Sequence, residues 1–321
     1  MIKTLLGLSL KGGDKSRLSI IDYHRITPVK DPFVDSATQS ELDWQCSILN
    51  KYFNVLPLGQ AIELLQKGQL PPRSVVITFD DGYANNYTLA LPILIKWDMP
   101  ATFFIASGYL DGGIMWNDSI IESLRRTEYE SIELLHSDGY PAELVGIYDL
   151  STQNKKIAAA TKLRLGIKYL DLAHRAEQVE KLLEITGVTP PEDIMLTSEQ
   201  VKEMSLAGMD IGGHTLSHPI LTTLSLEQAK EQICKDKDNL QQIVGEHISH
   251  FAYPNGKPEK DFIDAHIKIL KEAGYSGAVT TQRGVAQPNG DIYKLPRFSS
   301  WDKTTLRYLY RMFINGFGVY G

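Results

Sequence analysis

Cysteine is scarce: Cys46 and Cys234 are the only two in 321 residues. That excludes a disulfide-stapled scaffold, and neither sits in a CxxC pair of the kind that builds zinc ribbons or redox centres. Long hydrophobic runs are missing as well. The opening stretch MIKTLLGLSLKGGDKSR has one lysine before an apolar segment too short to cross a bilayer, and it lacks a small-residue cleavage site. It reads as mature protein, with a cytoplasmic or membrane-associated address as the default and a periplasmic or extracellular one as the alternative. Nor is there an excess of positive charge. Lys and Arg number 33 against 39 Asp and Glu, a formal net charge of -6, so nucleic acid is excluded as a partner. No repeat or low-complexity tract is present, which excludes a solenoid.

What is present suits an ordinary globular chain, 43% hydrophobic and 22% charged, long enough for a full α/β core. Short apolar runs at 18–24, 75–79, 101–107, 209–213, 250–253 and 276–281 alternate with amphipathic segments at 84–97, 226–244 and 261–273, the last followed by Gly274 as a helix stop. Alternating strands and helices predict βα units around a parallel sheet or barrel. Between about 117 and 197 the strand signals fade and segments 155–169 and 172–185 read as charged helices. This predicts a helical insertion with no second sheet, in a single domain spanning 1–321.

Polar chemistry falls where these strands end. His24, Asp80 with Asp81, His214 and the Pro254–Gly256 turn each follow an apolar run, and that edge of a parallel α/β barrel is where active sites are built. In Thr78-Phe79-Asp80-Asp81-Gly82-Tyr83, two adjacent carboxylates leave a buried strand and repel unless a cation or donor compensates them. Asp-Gly alone would read as a turn. In Gly213-His214-Thr215-Leu216-Ser217-His218-Pro219, two histidines four apart reach one face if the chain turns helically. Two imidazoles and one carboxylate leave a coordination position open, as catalytic zinc sites do. The second aspartate is then free to act as base toward water.

The motifs TFDDGY and HTLSHP, their order and their strand-end placement resemble the polysaccharide deacetylases of carbohydrate esterase family four, over about 19–297. The resemblance implies a distorted α/β barrel of about seven parallel strands with the helical insertion. It implies Asp80 as catalytic base and Asp81, His214 and His218 as ligands of a divalent metal. Zinc is the metal that this ligand set favours, with cobalt, nickel and iron(II) as alternatives. Phe251-Ala252-Tyr253-Pro254-Asn255-Gly256 resembles the third motif, a groove wall, but Ala252 stands where the family has arginine and Asn255 where it has tyrosine. Tyr83, Tyr253, Pro254 and Asn255 are thereby assigned to substrate binding, with the Asn255 N–H as an oxyanion donor. Arg297 in Leu295-Pro296-Arg297-Phe298 is the cation available to replace the missing one, since a guanidinium holds a carboxylate through two parallel hydrogen bonds.

The family's acid histidine lies near the carboxyl end, yet no histidine follows His266. Ile20-Ile21-Asp22-Tyr23-His24 instead resembles the circularly permuted members that act on poly-N-acetylglucosamine, which assigns His24 as general acid. Trp116 is assigned to stacking on a sugar or lining the acyl pocket, with Trp301 competing for the role. The tail 306–320 is aromatic and mildly basic, either packed on the barrel or a docking surface for a membrane or partner. The resulting expectation is a metal-dependent N-deacetylase of an oligo- or polysaccharide. An O-deacetylase and an inactive carbohydrate binder are the alternatives, and the oligomeric state is open.

Overall fold

A computed structural model describes residues 2–299 and 302–318. Seven strands lie side by side in chain order: β1 Ser19–Tyr23, β2 Ser74–Phe79, β3 Thr102–Ile105, β4 Asp210–Gly213, β5 His250–Ala252, β6 Gly277–Arg283 and β7 Leu295–Arg297. Every neighbouring pair is parallel. The short strand Asn54–Val55 adds to the beginning of β2. A bridge between Ile21 and Phe298, with Phe298 N–H donating to Ile20 at 2.8 Å, brings the last strand back to the first. The result is a nearly closed, distorted α/β barrel, as the resemblance implied.

Side-chain alternation explains why these runs are apolar throughout. Ile20, Val76, Phe104, Ala252, Val279 and Leu295 share one inner cluster. Their neighbours Ile21, Val75, Ile77, Phe103, Phe251 and Ala278 join the layer under the helices. A strand buried on both faces needs apolar residues at odd and even positions alike. The helix Leu58–Gln66 sends Leu58, Ile62 and Leu65 into the inner cluster. It packs by Gly59 on His250 and by Ile62 on Gly277, the first residues of β5 and β6. That closes the amino-terminal end of the barrel and leaves the other end for a site.

Some elements depart from the sequence reading. The helix expected at 84–97 starts as a wide π-type turn, Asn86–Ala90, before Leu91–Lys96 continues as α. Strand β7 carried no readable signal because Pro296 interrupts its three residues. The insertion is not purely helical. Helices Trp116–Arg126, Gln153–Ile167 and Leu172–Thr186 are joined by an antiparallel pair, Ser131–Leu134 with Gly146–Asp149, which corrects the expectation of no second sheet. Four-residue strands with alternate residues exposed are too short for a period-two pattern to stand out. Ile132, Leu134 and Tyr148 nevertheless bury there with Ile120, Leu124, Leu163 and Leu182, giving the insertion its own core. At the other end of the chain, Thr305–Gly316 packs against Ile2–Ser9 and β1. Both cysteines are free, Cys46 buried and Cys234 half-buried.

Candidate active site

Each functional side chain is set by the turn that leaves its strand. Three of these turns place four non-glycine residues at positive φ: Asp81 at 80°, Thr215 at 66°, His218 at 52° and Asn255 at 59°. Branched or bulky side chains avoid that region, and such strain persists only where surrounding contacts over-determine it. Gly82 follows Asp81 at φ 88°, and a Cβ there would stand 2.9 Å from Ile105 Cγ2.

The turns bring Asp81, His214 and His218 together. Asp81 Oδ1 lies 3.2 Å from His214 Nε2 and 3.4 Å from His218 Nε2, and the three ligand atoms lie within 4.8 Å of one another. His214 Nδ1 is 2.7 Å from the Ala252 carbonyl, so it donates there and turns Nε2 toward the Asp81 carboxylate. Burial disfavours charge on both imidazoles. Hydrogen bonding to Asp81 reverses this for His214, whose pKa is raised, whereas His218 falls to about 3 and is neutral. One carboxylate oxygen facing two imidazole nitrogens calls for positive charge between them. A proton on His214 would satisfy one nitrogen only, while a divalent cation would satisfy all three, so these residues fit a metal.

Asp80, beside that cluster, is paired with a guanidinium. Arg297 Nη1 donates to Oδ1 at 2.7 Å and Nη2 to Oδ2 at 2.6 Å, and Arg297 Nε donates to Thr280 O at 2.9 Å. Both residues are 2% exposed. Burial alone would raise the Asp80 pKa, and the guanidinium more than offsets it, holding the carboxyl below its ordinary value. His24 Nε2 approaches Asp80 Oδ2 to 3.9 Å, with 40% of its side chain open to solvent.

A cavity of about 410 Å³ opens onto this cluster, lined by Asp22, His24, Asp81, Tyr83, Asn117 and Asp118 among others. Within it Asp118 accepts from Arg25 Nη2 at 2.8 Å and Tyr83 Oη at 3.0 Å, and Arg25 stacks over the Tyr83 ring at 4.2 Å. Ile121 and Arg164 of the insertion complete the wall.

Other sequence assignments fare differently. Tyr253 is core: its ring stacks on Phe262 with centroids 3.6 Å apart and its hydroxyl donates to Tyr293 O at 3.0 Å, so it presents no side chain to a substrate. Pro254 is buried beside it. Asn255 is half-buried, and its N–H has no acceptor among the described residues. Trp116 does not line the cavity, because its ring packs on the core of the insertion under Arg175 at 4.7 Å. Trp301 lies outside the described residues.

Sequence reasoning missed Arg25, Asp118 and Asp236. Asp236 is fully buried in the helix Leu226–Val244 and accepts the backbone N–H groups of His214 at 2.8 Å and Ser107 at 2.9 Å. Burial, set against those two donors, raises its pKa to about 6. Its signal was its spacing with Ala229, Ile233 and Leu240 on the buried face of that helix.

The sequence profile of the family described as polysaccharide deacetylase matches residues 67–162 and 172–278, more than half of the chain. A poly-beta-1,6-N-acetyl-D-glucosamine N-deacetylase of Staphylococcus epidermidis is 29% identical over 300 residues, 88% of this chain and 79% of that protein. The Streptococcus pyogenes deacetylase PplD, solved in complex with acetate, superposes with a TM-score of 0.61 at 20% identity, covering 93% of this chain and 99% of that one. IcaB from Ammonifex degensii superposes with a TM-score of 0.58 at 20% identity, covering 95% and 98%. At that identity the two structures speak for the fold.

Proposed function

The chain belongs to the polysaccharide deacetylase family, and from that premise we propose that it is a metal-dependent N-deacetylase of a poly-N-acetylglucosamine-type glycan, with Asp80 as base and His24 as acid. The observation that carries the reading is the division of labour between two adjacent aspartates: Asp81 faces two imidazoles, while Asp80 is clamped by Arg297. The relative from Staphylococcus epidermidis supports the choice of substrate.

A divalent ion held by Asp81, His214 and His218 would supply a Lewis acid that acidifies water and polarises an acyl carbonyl. The chain's own residues do the rest. Asp80, kept ionised by Arg297, takes a proton from the attacking water. The Asn255 N–H, free of other acceptors among the described residues, donates to the acyl oxygen as negative charge builds on it. His24, beside Asp80 and open to solvent, delivers a proton to the amine nitrogen as the C–N bond breaks. Acetate and a free amine leave. Arg25, Tyr83 and Asp118 form one hydrogen-bonded wall that orients the sugar.

The test is acetate release from β-1,6-linked N-acetylglucosamine oligomers by metal-loaded protein, beside an O-acetylated glycan and the variant His24→Ala. Release from the N-acetyl substrate, reduced by about 10²–10⁴ in the variant, supports the proposal. Turnover of the O-acetyl substrate alone would replace it with an esterase, and no turnover of either with a binding protein.

A further inference from the structure

The terminal helices Ile2–Ser9 and Thr305–Gly316 form a surface that the active site does not use. They lie side by side on the flank of the barrel at β1, with Ser9 against Gly316 and the Arg17 guanidinium donating to both carbonyls. Their inward residues Leu6, Tyr308 and Met312 are buried, while outward Leu5 is 48%, Leu8 55%, Tyr310 61% and Leu306 80% exposed. Leu5, Leu306, Tyr310 and Phe313 line an open apolar hollow of about 260 Å³. A monomer has no folding reason to group so many exposed apolar side chains.

Charge on this flank is predominantly positive. The segments 2–17 and 302–318 contain seven Lys and Arg against only Asp14 and Asp302, in a chain whose net charge is -6. Asp302 is committed to Arg311 at 3.1 Å. Neither helix contains a carboxylate. Lys3, Lys11, Lys303 and Arg307 are exposed around the apolar residues.

We propose that this flank docks the protein on an anionic lipid surface, the apolar side chains entering the headgroup boundary and the basic rim meeting lipid phosphates. A second copy is a poorer occupant, since a two-fold contact through this face would set the same unneutralised cations against each other. The helix Thr305–Gly316 packs on β1, the strand that leads to His24. The apolar hollow shares no lining residue with the cavity at the candidate active site, so docking by the flank leaves that cavity uncovered.

The experiment is vesicle flotation of the full chain, which needs no turnover and is independent of the proposed activity. Vesicles of phosphatidylcholine alone are compared with vesicles also containing phosphatidylglycerol, at low and high salt. The expected result is flotation with phosphatidylglycerol that salt weakens and that Leu5→Ser/Leu306→Ser and Lys3→Glu/Arg307→Glu each reduce by roughly tenfold or more. If the leucine variant melts early, the charge variant, which alters exposed side chains only, decides. Failure to float with phosphatidylglycerol, or flotation unchanged in the charge variant, overturns the proposal. So does a dimer in solution that the leucine variant splits while vesicles bind neither form.

Discussion

At the residue scale the energetics turn on Arg297. A buried carboxylate without its partner is costly, and breaking a buried pair typically costs about 3–5 kcal/mol. Arg297→Lys keeps the charge but forfeits the two parallel bonds to Asp80. The guanidinium lowers the Asp80 pKa, so the proposed base stays ionised as pH falls. Weakening the clamp lets that pKa rise, and activity is lost at higher pH on the acid side. The expected outcome for Arg297→Lys is an acid limb moved upward in the profile of kcat/KM against pH, with metal content retained. An unmoved limb would show that the arginine only packs. Arg297 was legible in the sequence because a cation was needed where Ala252 offers none. Arg25 and Asp118 were not legible, because 93 positions separate the two partners of a 2.8 Å ion pair and only the closed barrel brings them together.

At the scale of elements, the site depends on how closely β4 approaches its neighbours. A Cβ on Gly213 would run into Tyr275 Oη and stand 3.1 Å from Asp236 Oδ2, while Asp236 holds the His214 amide. Asp236→Asn replaces one acceptor oxygen with a donor facing a backbone N–H, leaving either His214 or Ser107 unpaired. The expected result is a metal affinity lower by about 10–100-fold, as when outer partners of a ligand are lost. Isothermal titration with zinc reads this without turnover, and unchanged affinity would make Asp236 a core residue only. The sequence showed six of the barrel strands because each is a continuous apolar run. It hid β7 behind Pro296 and hid the hairpin of the insertion in two strands of four residues. Asp236 drew no attention in the sequence, since charge on a helix usually faces water.

At the scale of the molecule, the proposed metal would link stability to activity. The residues that would hold the ion come from turns after β2 and β4, so an ion bound only by the folded state would stabilise the whole barrel. At a hundred times its dissociation constant the gain is about 2.7 kcal/mol. A chelator should therefore lower Tm and stop turnover together, and zinc or cobalt should restore both; a melting curve indifferent to chelator and metal would remove the cation from the site. The sequence carried this much of the account because adjacent strand ends, read in order, converge on one face of a parallel barrel.

The most direct measurement is acetate release from N-acetylglucosamine oligomers by the zinc-reconstituted chain with Asp80→Asn alongside, metal content being determined in both. The prediction is release by the parent, none after chelation, and a variant that keeps its metal yet releases acetate at least about 100-fold more slowly. Parental rates from Asp80→Asn, or release that survives removal of the metal, would contradict it.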